Sequence, residues 1–272
     1  MALGLALLLG VLQGLTEFLP VSSSGHLRLL ENWGGVVHPT TFFDILLHVG
    51  TLAAVFIVYR DIFRKMTVAL WKCVFGQSTF KEEPHARLFL LACLATVPTG
   101  IIAIVFGDSM ESFADSPTFV GSMLVVNGFL LLGLGWLQRS QREGEGRTLE
   151  ELNAKDAIVI GSIQGLGIFR GISRSGSTIT AGLGLKLNQE AAATFSFVMS
   201  VPAILGALVL KLDEAGATGM DTHVLILGAI TAAVVGTLAL IVLLKLLKKG
   251  HLHHFAWYCF ALGLVAILGL GG

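Results

Sequence analysis

Charge is what this chain has least of. Asp, Glu, Lys and Arg make up 13% of 272 residues, about half the share found in an ordinary soluble globule. The bases and acids balance at 18 each, so there is no basic excess to hold nucleic acid. The three cysteines, Cys73, Cys93 and Cys259, are odd in number and lie in or beside apolar stretches. They fit neither a disulfide framework nor a zinc-ligand spacing. No GxxxxGK[ST] phosphate loop occurs. There is no GxSxG elbow either, because the chain around Ser173 reads Gly171-Ile172-Ser173-Arg174-Ser175-Gly176. No Lys or Arg precedes the apolar run from Ala2 to Leu15, so that run is expected to stay in the mature protein.

What the chain does have is apolar length. Hydrophobic residues reach 54% and mean hydropathy is +0.80. Six runs, near 41–60, 88–107, 118–137, 191–210, 224–244 and 253–271, are long enough to span a bilayer at about 20 residues each. Three shorter apolar stretches are the N-terminal one, broken at Glu17 and Pro20, Ala157 to Phe169, and Gly176 to Leu187. With their Ser/Gly-rich turns they predict two re-entrant helical hairpins, roughly 3–34 and 156–187. Basic residues gather between Arg60 and Arg87, between Arg139 and Lys155, and at Lys245, Lys248 and Lys249, whereas 108–117 carries Asp108, Glu111 and Asp115 without a base. The positive-inside rule then puts the basic loops in the cytoplasm and both termini outside.

The two hairpins repeat each other. Gly10 to His26 (GVLQGLTEFLPVSSSGH) aligns with Gly161 to Ser177 (GSIQGLGIFRGISRSGS) at eight of 17 positions, at an offset of 151. A duplicated unit follows, with repeat 1 over about 1–138 and repeat 2 over about 154–272 of a single membrane domain. One hairpin plus three spans makes an odd number of crossings, so the second unit is expected to be inverted, with both tips meeting near the midplane. Gly10/Gly14 and Gly161/Gly165 also suit close helix packing, but packing alone does not explain polar tips.

Those tips carry chemistry. A charged group at bilayer depth costs roughly 2.5–3.5 kcal/mol, and Glu17, His26 and Arg174 would all incur some of that cost. A Glu17–Arg174 pair that merely joins the hairpins is the bland reading, and it leaves six serines unexplained. Ser22, Ser24 and Gly25 at one tip, with Ser173, Ser175, Gly176, Ser177 and Thr178 at the other, open helices whose N-termini favour phosphate. Arg174 adds a planar fork for two oxygens. Gln13 and Glu17 share a helix face, four residues apart, and offer oxygen ligands for Mg²⁺ or Ca²⁺, weakly without a substrate. Ser23 and His26 are both candidate nucleophiles, the former activated by Glu17 or His26. Asp44 and His48 are either a supporting layer for this site or a local pair. His251, His253 and His254 read as an interfacial face, not a metal site.

The stretch QGLTEFLPVSSSGH resembles the (E/Q)xxxE and serine-glycine-histidine motifs of the undecaprenyl-pyrophosphate phosphatase family. GISRSGSTIT resembles its PGxSRSG motif, and FDILLHVGTLAAV and AAATFSFVMSVPAILGA are also similar to family segments. The resemblance covers nearly the whole chain. It implies an all-α polytopic membrane enzyme of the bacterial inner membrane that hydrolyses undecaprenyl pyrophosphate to the monophosphate. That reaction recycles the cell-wall lipid carrier. It also implies divalent-cation dependence, bacitracin resistance when abundant and a site opening to the periplasmic side, and it allows a homodimer. By motif position, Gln13 and Glu17 carry over as the acidic/metal pair, Ser23 and His26 as the catalytic centre, and Arg174 with Ser173 and Ser175 as the phosphate binder. Arg170 stands where the family usually has proline, and Cys259 where it often has arginine. An inverted-repeat transporter or lipid flippase is the main rival; it needs no nucleophile. A structural assembly factor, whose tips would tolerate substitution, is a weaker one.

Overall fold

The computed structural model describes residues 3–34, 41–114, 116–140, 145–210 and 221–271. Among these the chain is helical, with one isolated bridge between Arg147 and Leu187 and no named strand. The helices are α1 (Leu3–Phe18), α2 (Ser23–Gly34), α3 (Thr41–Val58), α4 (Arg60–Val74), α5 (Pro84–Ala114), α6 (Pro117–Ser140), α7 (Ala154–Gly165), α8 (Arg174–Gly184), α9 (Gln189–Leu210), α10 (Thr222–Lys248) and α11 (Phe255–Ile267).

Four helices are long and apolar enough to cross a membrane: Pro84–Gly107 within α5, then α6, α9 and α10. A fifth span is reached only by counting α3 with α4, which bend by 83° at Tyr59. The expected span at 253–271 is shorter than its apolar run, because Leu252–Ile267 is a 10–17-residue class of helix and the chain turns at Gly269 with φ +68°. The region after Arg60, expected as a charged loop, begins instead with α4. Its apolar residues Met66 and Ala69 are buried, while Val68, Trp71 and Val74 are exposed beside Arg64, Lys65 and Lys72. That two-faced pattern belongs to a helix at an interface. Likewise α5 runs on through much of the expected acidic loop. Asp115, Arg142 and residues 211–220 lie outside the described residues.

Burial follows membrane logic. Val97, Ile101, Ile104 and Val105 of α5 face outward, and Ile104 is 76% exposed. Gln13, Glu17, Asn127 and Gln164 are inside. In lipid, apolar side chains need no shelter, and polar groups must find partners within the protein.

The hairpin helices choose their partners through glycine. α1 packs along α10, and α7 along α5. A Cβ at Gly10 would stand 2.6 Å from the Gly228 carbonyl oxygen, and one at Gly14 2.8 Å from Val235 Cβ. A Cβ at Gly161 would fall on the Ala95 carbonyl, and one at Gly165 2.5 Å from Ile102 Cδ1. The repeated glycines are therefore contact points, as the small-xxx-small spacing predicts. Around the tips, Phe18, Phe195, Phe197 and Met199 belong to the largest buried cluster. Phe18 meets Phe197 edge-on at 5.7 Å between ring centres.

Candidate active site

Each tip is a helix end, a short turn and a new helix start. In the first, Ser22 adopts a left-handed conformation with φ +69°, unusual for a residue with a Cβ and a sign of a locally over-determined turn. Its Oγ accepts from Gly25 N at 3.3 Å and from Gly171 N at 3.1 Å. The second contact joins the two tips. Three more bonds close the joint: Ser175 Oγ donates to the Phe18 carbonyl at 3.0 Å, and Asn127, rising from α6, donates to the Pro20 carbonyl and accepts from Ser173 N. In the second tip the left-handed residue is Gly171, φ +114°, pressed against α6. The glycine makes that conformation accessible.

Joining the tips concentrates the predicted residues. Ser23 Oγ donates to Glu17 Oε2 at 2.7 Å, and Gln13 Nε2 donates to the same oxygen at 2.9 Å. Arg174 pairs with Glu17 Oε1 through Nη2. A carboxylate, a hydroxyl and a guanidinium thus share one contact, with Glu17 9% and Ser23 8% exposed. Opposite them lies a cavity of about 400 Å³. Glu17, Ser22, Ser23, Ser24, Ser173 and Arg174 form its polar end, and Gly100, Ala103, Ile104, Ala203, Ile204 and Leu210 of α5 and α9 form an apolar flank.

His26 takes a different place. It does not line this cavity. Its Nδ1 lies 2.7 Å from the Ser22 carbonyl oxygen, which can only accept, so Nδ1 carries the hydrogen. In the neutral ring Nε2 then accepts from the Tyr258 hydroxyl at 2.7 Å. His26 therefore grips the turn that carries Ser23 and makes no bond to Ser23 itself. The histidine that reaches Glu17 is His48, whose Nε2 is 3.4 Å from Oε2 and whose Nδ1 donates to the Asp44 carbonyl at 2.8 Å. Of the pair expected to support the site, His48 does so with its ring, and Asp44 does so with its backbone.

The phosphate-binding residues divide. Ser173 Oγ caps α8 by accepting from Gly176 N at 3.1 Å, as Ser22 does for Gly25. Ser177 and Thr178 hydroxyls donate back to the Arg174 carbonyl. Gly25, Ser175, Gly176, Ser177 and Thr178 thus build the helix starts, while Ser22, Ser24 and Ser173 also line the cavity. The earlier N–H groups of each first turn still lack an intrahelical acceptor.

Tyr258 was missed from sequence, and Gln164, which falls at the second tip, was given no role. Tyr258 lies 232 positions from His26, and nothing local marks it. Gln164, the repeat partner of Gln13, lines the cavity and donates to Thr99 Oγ1 at 3.1 Å. The alignment that pairs it with Gln13 was the available signal. In both glutamines Oε1 is buried without a hydrogen-bond partner among the described residues. For Gln13 that orphaned oxygen, next to Glu17, fits a hard divalent cation. Among the described residues no group of three His, Cys, Asp or Glu could hold a metal alone, so such a cation would also need substrate oxygens.

The family model described as "Bacitracin resistance protein BacA" matches residues 6–265. Among curated proteins, an undecaprenyl-diphosphatase of Desulforapulum autotrophicum is 44% identical over 96% of this chain and 95% of its own length. Others, from Desulfatibacillum aliphaticivorans and Alkaliphilus metalliredigens, are 42% and 40% identical, over 96% and 97% of this chain and 96% and 97% of theirs.

Proposed function

The chain belongs to the bacitracin resistance protein BacA family, and on that premise we propose that it hydrolyses undecaprenyl diphosphate to undecaprenyl phosphate and inorganic phosphate. The observation that carries the reading is the Ser23–Glu17–Arg174 contact at the polar end of a cavity with an apolar flank. A lipid pyrophosphate needs both: a polar end for the diphosphate and an apolar flank for the first isoprene units.

In this reading Arg174, the cavity-lining serines and the first-turn amides of α2 and α8 hold the diphosphate. Arg174 has donors to spare for phosphate while it stays near Glu17. Glu17 takes the proton from Ser23, and Ser23 Oγ attacks the terminal phosphorus. The bond to the bridging oxygen breaks, and its electron pair leaves on the lipid phosphate. Water then attacks the phosphoserine. Glu17 returns its proton to Ser23 Oγ, and the water proton leaves with inorganic phosphate. Ser23 is preferred as nucleophile because its hydroxyl already donates to a carboxylate, while both ring nitrogens of His26 are engaged elsewhere. His26 acts in the same centre by clasping the Ser22 carbonyl, which sets its tautomer, and Tyr258 orients its ring. Gln13 and Glu17 would hold Mg²⁺ or Ca²⁺, which supplies charge neutralisation for the diphosphate.

The topology proposed for this chemistry is six crossings with α1–α2 and α7–α8 as re-entrant hairpins, the second half inverted. What supports it is the exchange of packing partners, α1 on α10 and α7 on α5. The basic ends would face the cytoplasm of the cell membrane, and the site would open outward.

The test is phosphate release from undecaprenyl diphosphate by purified protein, with and without EDTA. Wild type is expected to release phosphate, to lose activity in EDTA and to recover it with Mg²⁺ or Ca²⁺. Ser23→Ala and Arg174→Ala are expected to lose most of the phosphate release while folded. Full release by folded Ser23→Ala would overturn the nucleophile, and no release by wild type would overturn the function.

A further inference from the structure

Far along the chain from the tips, the end of α6, the end of α10 and the turn into α11 border a second, open cavity of about 440 Å³. It shares no lining residue with the first. Arg139, Lys248, Lys249, His251, His253 and His254 surround it, and no carboxylate lines it among the described residues.

The basic groups are organised by contacts within the protein. His253 Nδ1 lies 3.0 Å from the Gly250 carbonyl and so carries the hydrogen, which leaves Nε2 to accept from Arg139 Nη2 at 3.1 Å. His254 packs on His253 with ring centres 4.2 Å apart, and on His251 at 5.4 Å. One guanidinium and three imidazoles are thus held in place around an open volume. Side chains that merely repel one another would spread into water.

Beside them is a buried acceptor with nothing to accept. Gln138, 4% exposed, lines the cavity; its Nε2 donates to the Leu247 carbonyl at 3.2 Å, and its Oε1 has no hydrogen-bond partner among the described residues. A ligand that fits must bring negative charge for the cations and a donor for this oxygen. The depth narrows the choice further. Trp136 on α6 and Trp257 on α11 are 69% and 66% exposed, and exposed tryptophans mark the headgroup level of a bilayer. Basic pockets between helices at that level suit phospholipid headgroups.

We propose that this cavity binds the headgroup of an anionic glycerol-bearing phospholipid, its phosphate among the basic side chains and a glycerol hydroxyl on Gln138 Oε1. Phosphatidylglycerol has both features, phosphatidic acid lacks the glycerol headgroup, and phosphatidylcholine has no net charge and no donor.

The test uses the full-length protein in detergent, titrated with dioctanoyl phosphatidylglycerol, dioctanoyl phosphatidic acid, dioctanoyl phosphatidylcholine and inorganic phosphate. Tryptophan fluorescence and native mass spectrometry give the readouts. Phosphatidylglycerol should bind tightest and phosphatidylcholine weakest. Lys248→Gln with Lys249→Gln should weaken phosphatidylglycerol about 30-fold, from two lost charges near the surface. Gln138→Leu should reduce phosphatidylglycerol to the affinity of phosphatidic acid. Arg64→Gln with Lys65→Gln makes the same change in net charge away from the cavity and should leave binding unchanged. If the double lysine variant misfolds, His254→Gln replaces it, with intact phosphate release as the check on folding. Equal binding of phosphatidylglycerol and phosphatidylcholine, or equal losses in both double variants, would overturn the site. Inorganic phosphate binding as tightly as phosphatidylglycerol would assign the cavity to free anion and overturn the lipid.

Discussion

At the first tip, Ser22 caps a helix, Ser23 follows it, and Glu17 stands five residues before the cap. In the same register the second tip has Ser173, Arg174 and Ile168. The caps perform one task in both places, accepting from Gly25 N and Gly176 N. The residue after the cap has diverged from a hydroxyl to a guanidinium, and the carboxylate has no counterpart. Duplication supplied two copies of a frame that exposes helix N-termini. Divergence then gave one copy a hydroxyl that donates to a carboxylate, and gave the other a cation. The histidine position diverged as well: His26 clasps the first turn from outside, while its counterpart Ser177 donates to the Arg174 carbonyl from within its own helix.

The comparison breaks first, if it breaks, at the chemistry. Glu17→Gln and Ser23→Ala should each slow phosphate release by about 10²–10⁴-fold, while Ile168→Val leaves it near wild type; a comparable loss at Ile168 would erase the asymmetry. Next comes the ion pair across the joint. Arg174→Ala takes the guanidinium from a buried carboxylate and should lower unfolding stability by up to about 3–5 kcal/mol, less whatever Ser23, Gln13 and His48 still supply. Combining it with Glu17→Gln should recover part of that loss in thermal unfolding, and identical melting of single and double variants would argue against a coupled pair. The packing glycines sharpen the comparison at a smaller scale. Gly10→Ala and Gly161→Ala should each cost about 1–3 kcal/mol, with Gly161 the more severe because its Cβ would fall closer to a backbone carbonyl oxygen than that of Gly10. Tyr258→Phe is the mildest. It removes one hydrogen bond worth about 1 kcal/mol, so kcat should fall about fivefold with KM unchanged. A rise in KM alone would place Tyr258 in substrate binding instead.

Much of this was legible in the residues. Eight identities at one offset marked the two hairpins, and the four-residue spacing of Gln13 and Glu17 put them on one face, where they now share a hydrogen bond. Other features were hidden for physical reasons. The charges of Arg60, Arg64, Lys65 and Lys72 dilute the apolar signal of α4, so a two-faced helix reads as a loop. His26 invites a catalytic role by its neighbours in sequence, but its ring is aimed by Tyr258 on the last helix, and no local pattern encodes that contact. The hydroxyls of Ser175, Ser177 and Thr178 could not be assigned from composition, because a serine that caps a helix and one that meets a phosphate look the same in sequence.

The bonds that lock one tip to the other also decide which parts of the molecule can yield. Gly171 to Ser22, Ser175 to Phe18 and Ser173 to Asn127 rivet the polar end of the cavity, and parting the halves would forfeit all three at once. The compliant walls are elsewhere: α5 and α9 both flank the cavity and both carry an internal proline, Pro98 and Pro202, where the backbone ladder is already interrupted. A long-tailed guest would enter sideways by flexing those two staves, while the anvil on which its phosphate is struck stays still.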